Sequence, residues 1–135
     1  MRKITVILLS ALMFAACSNK GDQKKALLDS VLAVHDKVMG AEDQMMKNKH
    51  LLDTILQKND PSSKDTASLL IKKIALADSA MDNWMHNFDY EQKGKPEEET
   101  IRYMELQKKA IMAIDSQLNK VVDESNKFLA KTKSK

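Results

Sequence analysis

Apolar residues recur along this chain in three long stretches at steps of three and four, the spacing of helices that bury one face. In the first stretch, from about Asp22 to Lys58, they are Leu28, Val31, Leu32, Val38, Met39, Met45, Met46, Leu52 and Leu56. Asn59-Asp60-Pro61-Ser62-Ser63 breaks the pattern, with Asp60 placed to cap a new helix and Pro61 at its first position. The second stretch carries Ala67, Leu70, Ile71, Ile74, Ala77, Met81, Trp84, Met85 and Phe88 on one face. Asp89 to Lys95 interrupts it, and Pro96 opens a third helix. Glu97, Glu98 and Glu99 fill that helix's first turn, where the helix dipole favours acids. Its apolar face is Met104, Ile111, Ile114, Leu118, Val121 and Phe128. No alternating pattern of strand type appears.

Connections as short as 59–65 and 89–95 force neighbouring helices to run antiparallel. The expected fold is all-α, an up-down-up bundle of three helices over residues 23–130, followed by a basic tail from Lys131 to Lys135. The heptad-like seams also suit a coiled-coil hairpin that pairs with a second copy as a homodimer.

The chain opens differently. Arg2 and Lys3 precede an apolar run, Ile4 to Ala16, broken by Thr5 and Ser10. The run is too short for a bilayer core, which needs about 20 residues. A basic start, a short apolar stretch and small residues before a cut site read as a secretory signal. Cys17, the one cysteine, follows Ala15-Ala16 directly. This arrangement resembles a bacterial lipoprotein signal, with Phe14 where leucine is usual. It implies cleavage after residue 16 and acylation of Cys17. A single acyl chain holds a protein marginally and two or more hold it firmly. Residues 17–22 then read as a lipidated tether. Ser18 resembles the signal of lipoproteins sent to the outer membrane, and the expected exposure is to the periplasm.

Charge adds an exclusion. The 22 basic residues fall to 20 once Arg2 and Lys3 are removed, against 19 acidic ones. A near-neutral chain with no basic patch does not point to nucleic acid. Without another cysteine, no disulfide framework can form.

Chemistry gathers in one place. Of nine methionines, seven lie beyond the leader. With a first turn centred near Asp60 and Pro61, antiparallel partners have residue numbers totalling about 120. His35 then faces Met85, Met39 faces Met81 and Asp82, and Trp84 stands beside them. A third helix starting at that level would bring Met104 near Met81. His35 with Met39, and Met81 with Met85, are spaced i, i+4 and share a face. Thioether and imidazole suit Cu(I) or Ag(I), and an indole face can hold a cation. His35, Met39, Met81 and Met85 are therefore candidate ligands, with Trp84 beside the ion. Methionine is equally a filler of helical cores. On that reading His35 is a core histidine bonded to Asp82 or Asp78. His86 falls on a polar face and His50 at the rim of the apolar one. Lys49 lies close to the apolar centre, within reach of an acid such as Asp78. No nucleophile elbow, Gly-rich phosphate loop or zinc spacing is present, so catalysis is not expected.

His35-Asp36-Lys37-Val38-Met39 and Met81-Asp82-Asn83-Trp84-Met85-His86-Asn87-Phe88 resemble segments of small lipoproteins of the Bacteroidota, often labelled "viral A-type inclusion protein". The resemblance implies a helical envelope lipoprotein and adds no activity. The expected function is binding, to another envelope protein or to a small ligand or ion. The alternative is a periplasmic Cu(I)/Ag(I) carrier that uses the Met/His cluster.

Overall fold

The computed structural model describes residues 15–58 and 61–133. Three helices make up the fold: α1 (Ala15–Lys58), α2 (Pro61–Asn87) and α3 (Glu97–Lys133). There is no strand among the described residues. At 1.5 Å per residue the helices are about 66, 40 and 55 Å long. The segment expected as a leader lies outside the described residues up to Phe14, as does the capping residue Asp60.

Each helix buries a seam of alternating three- and four-residue steps. On α1 the fully buried positions Val31, Val38, Met45 and Leu52 are a heptad apart, with Val34, Ala41 and Asn48 between them and Ile55 after Leu52. On α2 the seam is Ala67, Leu70, Ile74, Ala77, Met81 and Trp84. On α3 it runs through Met104, Ile111, Ile114, Leu118, Val121 and Ser125. A period of 3.5 residues keeps each stripe facing its neighbours as the helices wrap around one another.

Cross-links between helices give the register. His35 lies beside Trp84, with ring centroids 6.1 Å apart, so α1 and α2 run antiparallel with the expected pairing. Lys37 Nζ donates to Asp115 Oδ2 at 2.7 Å, and Asn48 Nδ2 to Ser125 Oγ at 2.8 Å. Those two pairs have nearly the same sequence separation, so α1 and α3 run parallel. Lys73 Nζ donates to Glu124 Oε2 at 2.7 Å and ties α2 to α3.

Several local expectations change. The tether expected at 17–22 is helical, since α1 begins at Ala15. Gly21 does not break it, and the α1–α3 register sets the first turn of α3 alongside. Pro61 is the first residue of α2, so residues 61–65, expected as part of the connection, are helical. A proline there gives up a donor that a helix start leaves unpaired anyway. The tail expected from Lys131 stays helical to Lys133. Leu129 is buried on α3, whereas Phe128, the expected core residue, is half-buried.

The second connection is built by its own side chains. Asp89 Oδ1 accepts from the Glu91 and Gln92 amides at 3.1 and 3.2 Å. Gly94 takes a φ of 73°, where glycine carries no Cβ penalty. Tyr103 reaches back from α3: its hydroxyl accepts from the Asp89 amide at 2.8 Å and donates to Asn87 O at 3.4 Å. The end of α2 is thereby pinned to α3.

Candidate functional site

Because α3 begins well before the level at which α2 ends, the far end of α2 and its following loop meet the flank of α1. The result is a groove of about 470 Å³. Leu28, Leu32 and His35 supply one wall, at i, i+4 and i+7 on α1. Trp84, Met85 and Phe88 supply the other, and Tyr90 of the loop closes one side. Leu32, Met85 and Tyr90 remain 43%, 37% and 59% exposed, so the apolar lining is open to solvent.

Aromatic rings form its back. Trp84 stacks on Phe88 at 4.7 Å with planes 17° apart. Phe88 stacks in turn on Tyr103 at 6.3 Å. The Trp84 indole N–H is buried and has no acceptor among the described residues. An unpaired buried donor costs on the order of 1–3 kcal/mol.

The candidate ligands divide. His35, Trp84 and Met85 come together in the groove. Met39, one turn beyond His35, stays 37% exposed, whereas Met81 is 2% exposed within the core. Met104 does not join Met81. The Lys37–Asp115 and Lys73–Glu124 pairs set it about three turns nearer the Ala15 end, because the α2–α3 loop carries the chain along the axis before α3 starts.

The polar partners also differ from those expected. His35 Nδ1 pairs with Asp36 Oδ1 at 3.1 Å, not with Asp78 or Asp82. Lys49 Nζ donates to Asp53 on its own helix at 2.9 Å and not to Asp78. The i, i+4 partner needs no reach across helices. Asp78 instead faces Glu42. Burial pushes the Glu42 carboxyl above its ordinary 4.5, and the carboxylates of Asp78, Asp82 and Asp43 push it further. His86 is exposed, with Nδ1 2.8 Å from Asp82 O. His50 is exposed too.

Sequence reasoning overlooked Asn48. It is 1% exposed, and its amide nitrogen donates to Ser125 Oγ and Asn126 Oδ1, each at 2.8 Å. Its oxygen accepts from Gln44 at 2.9 Å. A polar residue in step with Val34, Ala41 and Ile55 was the available signal.

Among the described residues no three His, Cys, Asp or Glu side chains converge for a metal ion. No helix among them is long and apolar enough to cross a membrane. Comparison with family models, curated proteins and solved structures finds no match.

Proposed function

We propose that this chain is a lipid-anchored helical protein of the bacterial envelope that works by binding rather than by catalysis, and that it binds at the groove between α1 and the end of α2. The observation that carries the reading is the groove itself. It is an open wall of Leu28, Leu32, Met85 and Tyr90, backed by stacked Trp84 and Phe88. Exposed apolar side chains gathered at one place mark interaction sites. The chemistry within reach is one imidazole, one thioether and one phenol, which suits capture better than turnover.

The anchor is proposed from the sequence, on Ala15-Ala16-Cys17 and the basic and apolar residues before them. The mature chain then attaches to the outer membrane through acylated Cys17 and faces the periplasm. Its partner is another envelope protein or a small ligand or ion.

Fractionation tests the anchor. Cys17→Ser should move the protein from the membrane pellet to the soluble periplasmic fraction. A Cys17→Ser protein that still sediments after a high-salt wash would refute lipid attachment. For the groove, binding of an apolar dye to the wild type, lost in Leu32→Lys, is the expected result. Dye binding that ignores Leu32→Lys would place the surface elsewhere.

A further inference from the structure

We infer that the groove is a site for one soft monovalent metal ion, Cu(I) or Ag(I), held between His35 Nε2 and Met85 Sδ with Trp84 alongside. The inference rests on the reading of the groove as the binding surface and names its ligand. Three observations support it.

The first is placement. The register brings an imidazole of α1 and a thioether of α2 into one groove that stays open to solvent. Met39, one helical turn from His35, is 37% exposed but does not line the groove. Met81 is 2% exposed and stays in the core.

The second is the state of the histidine. Nδ1 is engaged by Asp36 Oδ1 at 3.1 Å. With the proton on that nitrogen, Nε2 carries a free lone pair for a metal ion. Carboxylate–histidine pairs orient metal-binding imidazoles in this way. Asp36 is 81% exposed, so the pair is not needed to satisfy a buried charge.

The third is the donor set and its aromatic neighbour. Thioethers are soft donors and select Cu(I) over hard divalent ions. The Trp84 ring lies next to the imidazole, with centroids 6.1 Å apart, and an indole face attracts cations.

The test uses the chain from Ser18 onward. It keeps the whole core, which lies between Val31 and Leu129, and it removes the Cys17 thiol, itself a Cu(I) ligand. Cu(I) or Ag(I), supplied from a buffered competitor, should bind at one ion per chain and quench Trp84 fluorescence. At about 100-fold excess over Kd the melting temperature should rise on the order of 10 °C. Met85→Leu and His35→Gln should each abolish the quenching, while the metal-free Met85→Leu chain melts within a few degrees of wild type. Asp36→Ala should weaken binding by about 10–100-fold, and His50→Gln should leave it unchanged. Absence of any metal-dependent shift overturns the inference, as does binding that survives both Met85→Leu and His35→Gln. The apolar dye separates the two failures: dye binding without metal binding leaves the groove standing and removes only its ligand, whereas loss of both removes the groove reading as well.

Discussion

Asn48→Ala is expected to destabilise the bundle more than its single polar side chain suggests. An amide has two N–H groups, and the two 2.8 Å contacts to Ser125 Oγ and Asn126 Oδ1 use both. The 3.4 Å approach to Val122 O is secondary. Gln44 and Asn126 are exposed and regain water when Asn48 is lost. Ser125 is 0% exposed and cannot. The loss is one fully buried hydrogen bond, worth about 1 kcal/mol, plus smaller terms for the two exposed partners. The void left by the amide adds a cavity term, which brings the total to about 2–3 kcal/mol. Ser125→Ala alone should cost about 1 kcal/mol. Because the two residues touch, the double variant should depart from additivity by about 1 kcal/mol. Urea unfolding followed by helical circular dichroism measures all four corners of the cycle, with unchanged slopes as the check on two-state behaviour. Additivity within about 0.3–0.5 kcal/mol would mean that Asn48 and Ser125 do not bond, and the Lys37–Asp115 pair would be left to mark the α1–α3 register.

Trp84→Ala should cost about 3–5 kcal/mol, the range for removing a large buried aromatic, since Trp84 is 8% exposed. A loss within about 0.5 kcal/mol, typical of surface positions, would contradict its place in the core. Glu42→Gln should stabilise the fold at pH 7. Burial and the facing acids raise the Glu42 carboxyl in the folded state, so its stabilising contribution is complete below pH 4.5 and lost as pH rises through the folded value. The melting-temperature gain of the Gln variant should therefore shrink as pH falls from the raised folded value towards 4.5, and be gone below 4.5. A gain that stays constant with pH would contradict this account.

By itself the sequence determined the helices and the pairing of the first two. Apolar residues at steps of three and four leave no other regular structure able to bury them, and a connection broken by Asp60-Pro61 can only turn the chain back. The register that follows from that turn put His35 beside Trp84 and Met85, as found. Only the tertiary structure decided the rest. Periodicity says which face is inside but not how deep each position lies. Leu32, Met39 and Met85 belong to the apolar stripe, yet they stay at the surface because the stripe is wider than the seam. Met81, one turn from Met85, is sealed in the core. The position of α3 depended on a loop whose path is set by Tyr103 and by the Asp89 hydrogen bonds, contacts 16 residues or fewer apart that no helical pattern encodes. That path moved Met104 away from the cluster. Ion-pair choices were equally hidden. His35 and Lys49 take acids on their own helix, because a neighbour at i+1 or i+4 needs no register across helices. Asp78 is thereby left facing Glu42 from the opposite helix, an arrangement that follows from packing and not from spacing.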